Sequence, residues 1–206
     1  MAIASGLTTT CTNLQSSGGI KTVFIREWNS TGSPDQIATL GTGTITSIAD
    51  SGGSTSTWGV YETKLETPVL SITGASVGNV NTYECNLTFN LPQLDLARRN
   101  SITDMQGKCL QVMMLDTNGT YFVIGISGTL TGGDGGLDLA AASHIGTRPQ
   151  TFARLSAVEG GTGAAVSDET GLTVTLTCTQ YELPRTYVAA GAAVSINAAG
   201  LVATVS

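Results

Sequence analysis

The sequence predicts a mainly β protein, a sandwich or barrel with one α-helix between strands. Three observations predict it. The composition is rich in Gly, Thr, Ser and Val, with 26 Gly in 206 residues, and such residues favour strands and turns over helices. Two segments, Thr82 to Leu91 and Leu172 to Tyr181, alternate apolar and polar residues, the period of a strand with one buried face. A single segment, Pro92 to Gln106, changes to a helical period. The length suits one domain spanning 1–206, with an N-terminal arm and a C-terminal tail, and it is enough to bury a core without staples.

In chain order, Ile20 to Trp28 (IKTVFIREW) is β-branched and aromatic, which predicts a strand. Asn29 to Gln36 carries turn chemistry, and Thr42 to Ile48 predicts a second strand with Ile45 and Ile48 in the core. Asp50 to Ser56 reads as a Gly/Ser loop. From Trp58 to Ile72, Val60, Lys64 and Glu66 share one parity and Tyr61, Thr63 and Leu65 the other. Pro68 breaks that run into two strands or a bulged one. Gly74 to Asn81 reads as a loop. In Thr82 to Leu91, residues Tyr83, Cys85, Leu87, Phe89 and Leu91 share the buried face, leaving Glu84, Asn86 and Thr88 on the other.

The helical stripe is Leu94, Ala97, Arg98, Ile102 and Met105. Asn90 is placed near the N-cap, Pro92 in the first turn, Asp95 early where the dipole favours a carboxylate, and Gly107 at the stop. Val112 to Leu115 is continuously apolar, so its strand should be covered on both faces. Asn118-Gly119 predicts a type I′ hairpin turn before TYFVIGISG. Leu130 to Gly136 and Gly160 to Gly171 read as loops, with Gln150 to Val158 a candidate strand between them. In Leu172 to Tyr181 the buried face is Leu172, Val174, Leu176 and Cys178, with threonines opposite. Tyr187 to Ser206 is small and apolar, suited to a terminal hairpin or to an arm lying on a neighbour.

Charge excludes several functions. Charged residues make up 12%, against a usual share of about 25%. A folded chain with so little charge is expected to hide surface against copies of itself. The net charge is −6 with nine Lys and Arg and the pI about 4.6. A dedicated nucleic-acid binder needs a basic face, which this chain lacks. An acidic wall would instead let DNA slide without sticking. Met1 to Thr10 lacks the regions of a secretory signal, and no apolar run approaches a membrane span. Synthesis in the cytosol follows as the expectation.

Catalytic and metal chemistry find no foothold. Cys11, Cys85, Cys109 and Cys178 have neither CxxC nor Cys/His spacing, and the last three sit in strand-like or apolar runs, as buried free thiols do, while their even number leaves disulfides open. His144 is the single histidine and has no partners spaced for a triad. Glu62 and Glu66 share a parity with Lys64, which makes a solvated charge ladder. Gly132 to Asp138 resembles a calcium-binding repeat only once, where tandem repeats are required. Asn29, Asn86 and Asn118 open Asn-x-Ser/Thr triplets without a secretory signal. Arg98 and Arg99 on the helix suit a solvated face, a salt bridge to a neighbouring subunit or pairing with phosphate. No cofactor, metal or catalytic residue is expected.

One block joins a strand (TYECNLTFNL), a helix (PQLDLARRNSITDMQ) and a hairpin (GKCLQVMMLDTNGTYFVIG). With the later stretch Gly161 to Val188 and the Gly/Ser loop before Trp58, it resembles the tail tube proteins of long-tailed bacteriophages. The resemblance covers about two thirds of the chain. It implies a virion protein of the viral tail, assembled in the host cytoplasm from hexameric rings stacked into a tube through which DNA passes. Its partners would be itself and other tail proteins, with no membrane. On this resemblance Asp50, Ser51, Gly52, Gly53, Ser54, Thr55 and Trp58 are expected at inter-ring contacts. Tyr61, Glu62, Thr63, Lys64, Leu65, Glu84, Asn86 and Thr88 are expected on ring-interface or lumen strands, and Arg98 and Arg99 on an outer helix. The alternative from the residues is a decoration or carbohydrate-binding β-sandwich, using Trp28, Trp58 and Tyr61 as stacking platforms.

Overall fold

The computed structural model describes residues 19–27, 36–40, 44–50, 56–63, 67–77, 80–93, 95–125, 136–137, 152–162, 170–180, 182–188, 194–196 and 202–205. Its fold is mainly β, with two sheets and one helix. The strands are β1 (Ile20–Glu27), β2 (Gln36–Leu40), β3 (Thr44–Asp50), β4 (Ser56–Glu62), β5 (Val69–Val77), β6 (Val80–Pro92), β7 (Leu110–Asp116), β8 (Tyr121–Ile124), β9 (Gly136–Leu137), β10 (Arg154–Gly161), β11 (Gly171–Gln180), β12 (Arg185–Tyr187), β13 (Ser195–Ile196) and β14 (Val202–Val205); α1 is Leu96–Met105.

The larger sheet, sheet A, has the order β13-β14-β4-β1-β7-β8-β12-β3-β2-β9. It curls so that β3 packs back against β4 and β14. Phe24, Ile45, Ile48, Trp58, Met113, Val123 and Tyr187 fill the space enclosed by the curl. The smaller sheet, sheet B, is the antiparallel set β10-β11-β6-β5. With α1 it covers the other face of sheet A, over a core that includes Val23, Leu87, Phe89, Val112, Met114, Val174 and Leu176. The continuously apolar β7 is therefore covered on both faces, as its sequence predicts: Val112 and Met114 point to one core and Met113 to the other.

Other local readings need correction. The helix begins later than expected. β6 holds its pairing with β11 as far as Pro92, opposite Gly171, so Asn90 and Pro92 stay in the strand. The cap is Asp95, whose carboxylate accepts from Arg98 N at 2.8 Å. Ile102 and Met105 are the buried helical positions, while Ala97 is exposed. Gly107 does end the helix, at φ +72°. Asn118 does not take the positive φ of a type I′ turn. Only Gly119 does, at φ +82°, and its N–H donates to Asp116 O at 3.2 Å. The turn is thus a three-residue loop closed by a glycine bulge. Gly74 to Asn81 is mostly strand, because β5 pairs with β6 from Val69 to Val77. Likewise β10 continues to Gly161, opposite Gly171. The C-terminal segment forms the hairpin β13–β14, which pairs with β4 of its own chain.

Candidate functional site

Sheet B is built from alternating sequence, and alternation gives it two unlike faces. On β11, Val174, Leu176, Cys178 and Gln180 are buried, while Thr173, Thr175 and Thr177 are half-buried and Thr179 exposed. On β6, Cys85, Leu87, Phe89 and Leu91 are buried, with Glu84, Asn86, Thr88 and Asn90 opposite. Register aligns the outer residues in rows. Thr88 faces Thr175, with Val69 and Ala157 beyond them. Asn86 faces Thr177, with Ser71 and Arg154 beyond.

Short polar side chains bond to each other across this face. The Thr88 and Thr175 hydroxyls are 3.3 Å apart. Asn90 Nδ2 donates to Thr173 Oγ1 at 3.5 Å, and Asn86 Nδ2 donates to Glu84 at 3.2 Å. The result is a flat surface of hydroxyls and amides with few charges. Glu84, Glu159 and Arg154 are its charged positions among the described residues. At one end lies a recess of about 530 Å³ lined by Asn90, Gln93, Gly160, Gly161, Thr170 and Thr173. Pro92 and Gly171 complete the lining, which mixes apolar surface with amide and hydroxyl groups and holds no acid or base.

Both edges of the sheet, β5 and β10, lack a partner strand among the described residues. Ser71 to Ser76 on β5 are all exposed, and β10 is exposed at all but one of its positions. The edges also carry bare apolar side chains: Val69 is 57% exposed, Ile72 42% and Val158 38%. Val69 to Val77 contains neither Lys nor Pro, the residues that commonly blunt an edge.

The residues expected at contacts divide. Glu84, Asn86 and Thr88 do occupy the open face of sheet B. Tyr61 and Glu62 belong to sheet A instead, and Lys64 and Leu65 lie outside the described residues. Tyr61 turns inward. Its ring tilts against Phe89 with centroids 6.5 Å apart. Burial, the largest influence, pushes its phenol up from the ordinary value. Trp58 is wholly buried, with the Arg26 guanidinium 4.9 Å from its ring centroid. It is thus a core residue, where a ring contact or a sugar platform was expected. The reason is that Trp58 points into the core enclosed by the curl of sheet A, beside Phe24, Ile45 and Ile48.

Glu62 and Arg99 are exposed, and Thr63 is half-buried. Arg98 is engaged by Asp95 within its own helix cap. Asp50 ends β3 opposite Gln36. Ser51, Gly52, Gly53, Ser54 and Thr55, with Trp28, Cys11, Glu66 and His144, fall outside the described residues, as does the glycine-rich run except for Gly136–Leu137. No group of three or more metal-ligating side chains occurs among the described residues.

The buried polar groups serve the fold. Arg185 makes a two-pronged pair with Glu182 at 2.8 and 2.7 Å. Arg26 Nε donates to Gln111 Oε1 at 2.6 Å. Thr173, Thr175 and Thr177 were not singled out as contact residues from sequence, although their alternation was visible. The edges β5 and β10 were not distinguishable from central strands at all. Comparison with family models, curated proteins and solved structures finds no match for this chain.

Proposed function

We propose that this chain is a structural subunit that closes into rings through the edges of sheet B, and that the rings stack into a tube of the phage-tail kind. The observation that carries this reading is the four-stranded antiparallel sheet with two long open edges. Four strands place β5 and β10 in opposite directions. Copies related by rotation about an axis along the strands then bring β5 of one beside β10 of the next in antiparallel pairing. Such closure removes both edges and covers Val69, Ile72 and Val158.

In that ring the threonine and asparagine face forms a continuous wall. Its low charge and the −6 of each copy suit a channel along which DNA slides without binding. The role is passive: holding shape and offering phosphates only Arg154 among the described residues of this face. Other tail proteins would be its partners and the virion its location. The carbohydrate-binding alternative loses two of its three platforms, since Trp58 is buried and Tyr61 faces inward.

Negative-stain electron microscopy over a concentration series, with light scattering, tests this. Hollow rings or tubes are expected from the natural chain, and monomers from Ile72→Lys, which sets a charge on the edge. A natural chain that stays monomeric at every concentration and salt would overturn the reading.

A further inference from the structure

Cys85 and Cys178 are direct partners in the β6–β11 register, and both point into the core. Cys85 is 0% exposed and Cys178 5%, and both thiols are free. They sit on the two central strands of sheet B. Gln93 N donates to Thr170 O at 2.9 Å, which makes that pair a hydrogen-bonded one. Counting by twos along the register makes Cys85–Cys178 the same type, with Cα atoms roughly 5.5 Å apart. That lies inside the spacing of roughly 4.4–6.8 Å at which two cysteines can be bridged. The two side chains enter the same core from directly opposite positions on neighbouring strands.

We propose that Cys85 and Cys178 are an oxidative modification site, a dithiol that hydroperoxides close to a disulfide across the centre of sheet B. The neighbouring Cys178 lowers the Cys85 thiol, while Cys85 and burial push Cys178 well up, so Cys85 is assigned as the attacking sulfur. Cys178 also leans on Gln180, whose Oε1 lies 3.4 Å from its sulfur and accepts from Gly125 N at 3.0 Å.

Hydrogen peroxide reaches the pair through local opening of the sheet, because Cys85 is wholly buried and Cys178 nearly so. The Cys85 thiolate attacks one peroxide oxygen, and the O–O bond breaks. Cys85 becomes a sulfenic acid, and the departing hydroxide takes a proton to become water. The Cys178 sulfur then attacks the Cys85 sulfur. The S–O bond breaks and the second oxygen leaves as water with the Cys178 proton. Two thiols and one peroxide yield one disulfide and two waters. A small dithiol reverses the bond by exchange. The closed form ties strands far apart in sequence, which constrains the unfolded chain.

The proposal does not depend on ring assembly, and its test uses the whole chain. The folded protein is treated with hydrogen peroxide, then denatured and alkylated, and its peptides are mapped without reduction. A mass lower by two hydrogens is expected, with the Cys85 and Cys178 peptides linked. The thermal midpoint should rise by roughly 5 °C or more and return on reduction. In Cys178→Ala a sulfenic acid should be trapped on Cys85 by dimedone. Cys85 and Cys178 both alkylated after treatment, or Cys85 carried to sulfinic acid without a link in the natural chain, would overturn it. The mapping of the natural chain decides the matter even if the variant does not fold.

Discussion

Sheet A and sheet B solve the same problem in different ways. Sheet A curls on itself and buries both faces of its central strands: Val23 and Phe24, adjacent on β1, are both fully buried and point to opposite cores. Sheet B buries one face only and leaves its other face and both edges open. A chain that needed only to be stable has little reason to keep two long bare edges, which invite pairing with other chains. On the proposed reading, sheet A and the two cores make the scaffold and sheet B presents the assembly surface.

The contrast can be broken most forcefully on sheet B itself, because its two faces should differ by several kcal/mol. Phe89→Ala removes a fully buried ring and should cost about 3–5 kcal/mol in chemical denaturation. Thr175→Ala on the opposite face, paired only through a weak hydroxyl contact, should change the stability of the single chain by about 0.5 kcal/mol or less. Equal losses at the two positions would mean that the outer face is already part of the core.

A smaller effect sharpens the boundary between the sheets. Tyr61 lies between sheet A and α1, and its folded value is raised above the ordinary 10.0 by burial. The unfolded chain therefore ionises first. This group's stabilisation is complete below the ordinary tyrosine value and is lost as pH rises through the raised one. Stability measured against alkaline pH should fall less steeply in Tyr61→Phe than in the natural chain. Parallel profiles would place the phenol in solvent.

Much of this architecture was legible in the residues. The alternation of β6 and β11 and the unbroken apolar run of β7 are local signals, and each led to the right burial pattern. Glu84, Asn86 and Thr88 were placed on an open face for the same reason. What failed was non-local. Gly74, Ala75 and Ser76 are poor strand formers, yet pairing along the whole of β6 holds them extended. β12 is short and takes its conformation from neighbours distant in sequence. Trp58 and Tyr61 were misplaced because strand order, which decides what covers a strand, is written nowhere in a single segment. The helix start moved because the β6–β11 ladder outcompeted an early cap.

The most direct test of the central claim is amide hydrogen exchange, followed strand by strand at low and high protein concentration. The account predicts that β5 and β10 become protected as concentration rises, while β1 and β7 stay equally protected throughout. Assembly with no change in β5 and β10, or with new protection confined to sheet A, would contradict it.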